Sequence, residues 1–180
     1  DPIMLTSATP PEWHLENFER LARELRGSTA RCIFSFPTLY KKTIRNLNFL
    51  PNSQSIRVWS KGNGDFSESD LEKLAWELAA IARENDMQMQ TCCNDKWINP
   101  LAGITKASCA DWPLLKSMLN TDIREEIAKN PTRKNCGCYK SIDVGRYQTC
   151  AHGCVYCYAT DSLERGQTHH NAHDSEAGML

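Results

Sequence analysis

Cys150, Cys154 and Cys157 stand at C-x-x-x-C-x-x-C spacing within one short stretch, Cys150-Ala151-His152-Gly153-Cys154-Val155-Tyr156-Cys157. Thiolate is a soft ligand, suited to zinc, copper(I) or iron–sulfur clusters. A cubane 4Fe–4S cluster is normally tied by four cysteines. A tight loop that supplies only three leaves one iron open to another ligand, the same division that separates closed structural zinc sites from open catalytic ones. Gly153 lets the backbone turn sharply beside Cys154, and Tyr156 sets an aromatic ring at the edge of the loop, where it would shield bound metal from water. The spacing also suits a structural zinc loop, so zinc stands as the alternative metal.

Cys136-Gly137-Cys138 precedes this loop and adds a second pair of candidate metal ligands. Two thiolates one residue apart cannot complete a site alone. Cys92, Cys93 and Cys109 are the candidate partners, because strand ends and the loops after them gather on one face of an α/β domain. The alternative is that some of these are ordinary buried thiols, and Cys32, inside a strand, is read as core. His152 lies within the loop and is read as a group that tunes bound metal through hydrogen bonding, with direct ligation as the alternative. Asp111 and Asp143, near expected strand ends, suit either substrate binding or the capping of a turn. Arg146 and Tyr147 flank the loop without a decisive signal. His169, His170 and His173 are read as part of a solvated end, and the five tryptophans as packing residues, since they lack the basic interleaving of a nucleic-acid surface.

The elements that must position these cysteines are legible in part. Thr9-Pro10 reads as a helix start, followed by an apolar stripe at Trp13, Phe18, Leu21, Ala22 and Leu25 and a stop at Gly27. Residues 31–36 read as a short buried strand, and 38–50 as a second helix with Tyr40, Ile44 and Leu47 on its apolar side. Pro51 to Ser67 reads as a loop with a brief strand at Ile56–Trp59. Ser67-Glu68-Ser69-Asp70 opens a helix whose stripe, Leu71, Leu74, Ala75, Leu78, Ala79 and Ala82, is the most regular in the chain. Met87–Thr91 alternates like a half-buried strand and delivers Cys92 and Cys93 at its end. Residues 94–108 read as loop, and Asp111 opens a short helix through Leu119. A strand at Ser141–Val144 leads into the cysteine loop, one or two helical turns follow at 159–165, and the remainder reads as a loosely held polar tail.

This alternation predicts an α/β fold with a partial, half-barrel-like parallel sheet, flanking helices and a C-terminal cysteine-rich loop region. The expected division is an α/β region over 1–119, a cysteine-rich metal-binding region over 120–165 and a tail over 166–180. At 180 residues the chain has the size of one ordinary domain. Twenty-one Lys and Arg against 22 Asp and Glu give no global field that favours nucleic acid or an anionic membrane. No apolar run approaches the roughly 20 residues of a membrane span. Nine cysteines, an odd count, argue against a simple disulfide framework. Without a signal peptide they point to a reducing, cytoplasmic setting, where such groups hold metal.

The cysteine spacing with its aromatic resembles the signature of the radical S-adenosylmethionine superfamily. That resemblance implies a 4Fe–4S cluster held by Cys150, Cys154 and Cys157, with S-adenosylmethionine on the open iron, Tyr156 beside the cofactor and an electron donor as partner. The reduced cluster of such enzymes cleaves the cofactor to a 5′-deoxyadenosyl radical that attacks a substrate, here unspecified. A wider set of residues is similar to one uncharacterised bacterial family, domain of unknown function 1848. It comprises Asp1-Pro2-Ile3, Thr91-Cys92, Cys109-Ala110-Asp111, Cys136-Gly137-Cys138, residues 141–145, Tyr147, Thr149-Cys150 and His152–Ala159. Members of that family are longer at the N-terminus, so the resemblance implies that this chain corresponds to their C-terminal portion. Radical enzymes carry their cysteines after the first barrel strand, whereas here they come late, which implies a permuted order. Two other functions suit the same cysteines: a non-catalytic module with a structural zinc or iron–sulfur site, and an electron-transfer protein.

Overall fold

Three strands carry the α/β part of the chain. The computed structural model describes residues 2–48, 66–119, 123–142, 145–174 and 176. Among these, β1 (Arg31–Phe34), β2 (Gln88–Thr91) and β3 (Ile104–Lys106) form an open sheet in the order β1-β2-β3. Both pairings are parallel, with Cys32 opposite Met89 and Met89 opposite Ile104. The helices are α1 (Pro11–Leu25), α2 (Lys41–Asn48), α3 (Glu68–Glu84), α4 (Trp112–Met118) and α5 (Leu163–Asn171). The described residues within 1–37 and 57–141 make up one compact unit, and those within 38–56 and 142–180 a second. Among the described residues, no helix is long and apolar enough to cross a membrane. The α/β class, the partial parallel sheet and the cysteine-rich region are as the sequence predicts.

In the first unit α3 carries the core. Its six expected apolar positions, Leu71, Leu74, Ala75, Leu78, Ala79 and Ala82, are all buried. They pack with Leu5, Phe34, Phe36, Met87, Met89, Trp97 and Ile104 into one cluster. Each fully buried leucine contributes about 2 kcal/mol through the apolar area it removes from water. The helix starts with a complete capping box: the Ser67 hydroxyl accepts the Asp70 amide, and the Asp70 carboxylate accepts the Ser67 amide. The Ser67 hydroxyl, which also donates to the Asp70 carboxylate at 2.7 Å, and then the Ser67 amide hold the Asp70 carboxyl below its ordinary range.

Several expectations are corrected. α1 begins at Pro11 after Pro10, with no side-chain cap. The Thr9 hydroxyl instead donates to the Met4 carbonyl and meets Thr6, because two successive prolines fix the entry to the helix without a capping bond. Residues 94–108 are not all loop: Ile104–Lys106 is a strand, too short for any periodicity to reveal, set up by a turn at Gly103 with φ +78°. It covers the far edge of β2, so Met89, Gln90 and Thr91 are buried in succession and the expected half-buried alternation is lost. On α2 the apolar reading fails at two of its three positions, Leu47 alone being half-buried. Tyr40, just before it, and Ile44 are 51% and 46% exposed, whereas Thr43 is 2% exposed. α5 reaches Asn171 and takes His169 and His170 into a helix capped by Ser162. Asp111 resolves to a structural part, since it caps α4 and pairs with Arg31 at 2.6 Å. The expected strand at Ile56–Trp59, the end of the one at Ser141–Val144, and Asp143 lie outside the described residues.

Replacing Ser67 with Ala removes one half of the capping box. The urea midpoint of the first unit is expected to fall by the equivalent of about 1 kcal/mol, and Ser67→Asp, which keeps an acceptor, to recover most of the loss.

Candidate metal centre

Gln148 opens and closes the cysteine loop of the second unit. Its amide donates to the Ala159 carbonyl at 3.0 Å, and its side-chain oxygen accepts the Asp161 amide at 2.6 Å. These two bonds tie the ends of a segment that contains Cys150, Cys154 and Cys157. Gln148 itself takes a left-handed φ of +67°, as does Gly153 at +76° within the loop. A further turn is closed by the Cys157 amide on the Cys154 carbonyl at 3.0 Å.

Two neighbours in the same unit fix the loop from outside. α2 presents Lys42 and Asn46, one turn apart on one face. The Lys42 ammonium donates to the Thr160 carbonyl and lies 3.5 Å from the Asp161 carboxylate, and Asn46 donates to the Val155 carbonyl at 3.2 Å. α5 approaches so closely that a Cβ on its Gly166 would stand 2.3 Å from the Cys150 carbonyl oxygen and 3.0 Å from the Thr160 methyl. The polar inner face of α2, which the apolar reading missed, is therefore a clamp on loop carbonyls. Its signal in the sequence was the i, i+4 spacing of Lys42 and Asn46.

Cys150, Cys154 and Cys157 all line one cavity of about 240 Å³, together with Gly153, Asn46 and the start of α5 at Ser162 and Leu163. Cys150 is exposed, and Cys154 and Cys157 are half-buried. The N-terminus of α5 is the positive end of its helix dipole, which suits an anionic group in the cavity. Tyr156 is half-buried and His152 exposed, and neither belongs to the cavity lining. Arg146 is exposed as well, and Tyr147 meets Tyr158 edge to face at 6.3 Å between ring centres.

The other thiols gather in the first unit. Cys92 and Cys93 follow β2, and their sulfurs are 3.5 Å apart. The Arg133 guanidinium donates to Cys93 Sγ at 2.9 Å and to Cys92 Sγ at 3.7 Å. Cys138 Sγ accepts the amides of Cys109 and Ala110 at 3.2 and 3.5 Å, and Cys136 Sγ accepts the Cys138 amide at 3.4 Å. Burial pushes the Cys93 thiol up to about 11 in spite of Arg133. For Cys136, burial acts upward too, but the bonds from Cys138 and Thr132 prevail and bring it down to about 6. The structure thus brings Cys138 to Cys109, one of the partners expected for the pair, whereas Cys136 meets Cys138 and Thr132, and Cys32 packs against the core. Among the described residues, no three His, Cys, Asp or Glu side chains already converge as a metal site. Sequence reasoning missed Arg133, Gly166 and Gln148, each of which acts through a contact far from its chain neighbours.

Comparison with curated proteins and with solved structures yields no match. The comparison with protein families does: residues 1–159 match a domain of unknown function, DUF1848. The match spans the sheet, the Cys136–Cys138 pair and the whole of the Cys150–Cys157 loop. The chain belongs to the DUF1848 family.

Proposed function

We propose that this is a metal-binding protein whose Cys150–Cys157 loop holds a 4Fe–4S cluster, and that it acts as a radical S-adenosylmethionine enzyme. The observation that carries the reading is the closed loop itself: three soft donors at the resembling spacing, lining one cavity on a backbone tied by Gln148 and clamped by α2. The donor set fits the group, since three thiolates hold three irons and leave the fourth for another ligand. When bound, the cluster with S-adenosylmethionine on its open iron would supply reductive cleavage of the cofactor to start radical chemistry.

The chain's own residues then have separate tasks. Cys150, Cys154 and Cys157 hold the metal, and Gly153 supplies the left-handed turn between the first two. Lys42 and Asn46 fix the loop carbonyls, which keeps the cysteines from spreading when ligands exchange. Tyr156, beside Cys157 and half-buried, is the candidate to line the cofactor once it sits outside the cavity proper. An electron donor is the implied partner.

Anaerobic reconstitution with iron and sulfide tests this. A brown protein with about four irons per loop, whose spectrum changes on addition of S-adenosylmethionine, is the expected result. A colourless zinc protein would replace the reading with the structural module, and a cluster indifferent to the cofactor would replace it with electron transfer.

Gly166 gives a sharper check on the support. Gly166→Ala places a methyl group into the Cys150 carbonyl, so iron retained after gel filtration is expected to drop several-fold. Gln167→Ala, at an exposed position of the same helix, is expected to leave iron content unchanged.

A further inference from the structure

We propose that the first unit holds a second metal site, a tetrahedral zinc bound by Cys92, Cys93, Cys109 and Cys138. This site is separate from the Cys150–Cys157 loop and does not depend on the reading given to that loop.

Cys93 supplies the first argument. Successive side chains on an extended strand point to opposite faces, which would part the two sulfurs. Cys93 instead has φ +53°, a left-handed conformation rare for a residue with a Cβ. Such a conformation persists where the surroundings over-determine it, and it recurs at ligand sites. Its result is the 3.5 Å separation of the Cys92 and Cys93 sulfurs. Across a tetrahedral zinc with Zn–S bonds of about 2.3 Å, two sulfurs lie about 3.8 Å apart.

Gly137 supplies the second. A Cβ there would stand 2.4 Å from the Ala107 carbonyl oxygen, so only glycine lets the Cys136–Cys138 segment lie against the loop that follows β3. The approach is secured by the Ser108 hydroxyl on the Gly137 carbonyl at 3.1 Å and by the Tyr139 amide on the Ala110 carbonyl at 2.9 Å. It brings Cys138 to Cys109, and the Cys109 thiol also meets that of Cys92. One thiol is thereby linked to ligands from two other segments.

Charge supplies the third. Four thiolates on Zn²⁺ leave a net charge of −2, and a site of this kind needs donors and cations around its sulfurs. Two backbone amides already point at Cys138 Sγ, and the Arg133 guanidinium spans Cys92 and Cys93. Cys136 contacts Cys138 and Thr132 and lies at the end of the network, so it is placed outside the ligand set. The thiols pair rather than converge, and rotation about their Cα–Cβ bonds is the movement that closes the site. Binding releases the thiol protons to solvent.

The test uses the full chain with Cys150, Cys154 and Cys157 all changed to Ser, which leaves any metal of that loop out of the count. Zinc measured by mass spectrometry after gel filtration is expected at one ion per chain. Adding Cys109→Ser or Cys93→Ser is expected to abolish it, and adding Cys136→Ser to retain it. Cobalt titration of the metal-stripped triple variant, which leaves all first-unit cysteines in place, is expected to give the intense visible bands of tetrahedral thiolate coordination. Absence of zinc and of those bands would overturn the proposal. So would zinc that survives loss of Cys93 but not of Cys136, or a Cys92–Cys93 disulfide seen as a loss of two hydrogens.

Discussion

At Gly166 a Cβ would lie 2.3 Å from the carbonyl oxygen of Cys150, and at Gly137 one would lie 2.4 Å from that of Ala107. Both contacts are backbone against backbone, so no side-chain rotation can relieve them. Each brings a cysteine segment against a second piece of chain: α5 against the Cys150–Cys157 loop in one unit, and the Cys136–Cys138 pair against the loop after β3 in the other. The glycine is not serving a turn at either place, since neither residue has a positive φ. It serves proximity. Hydrogen, and nothing larger, fits at these two positions.

What the close approaches bring together, the hydrogen bonds then hold. In the second unit they fall on carbonyls, with Lys42, Asn46 and the Gln148 amide all donating to loop oxygens. Cys150, Cys154 and Cys157 line the cavity that this backbone encloses. In the first unit the donors fall on sulfur itself, from amides, a hydroxyl and a guanidinium. Carbonyl anchoring holds backbone geometry while ligands exchange, which suits a centre that must admit another molecule. Donation to sulfur offsets thiolate charge and lowers the cost of gathering several anions, which suits a centre that stays closed.

The legible parts of the fold were those with a local, repeated signal. α3 carries six buried apolar positions within its 17 residues and a capping box at its start, so its stripe and its beginning were both readable. β3 has three residues and owes its existence to pairing with β2, a contact that no periodicity records. Its absence from the reading made β2 look half-exposed. α2 failed for a different reason. Ile44 and the preceding Tyr40 resemble an apolar face but are exposed, whereas Lys42 and Asn46 turn inward to donate to loop carbonyls. The candidate cysteines were readable from type and spacing, whereas Arg133 and Gly166 could be found only once distant segments were seen side by side.

The late position of the cysteine loop is less of an obstacle to the radical-enzyme reading than chain order suggests. A loop that took its shape from the strand before it would have to travel with that strand. Here the bonds that close the loop run between Gln148 and residues 159–161, and the outside clamp comes from α2, about a hundred residues earlier in the chain. The geometry of the three cysteines is therefore carried by local closure and by a tertiary contact, neither of which fixes the loop's place in the sequence. A permuted order asks only that α2 and α5 flank the loop, and in the second unit they do.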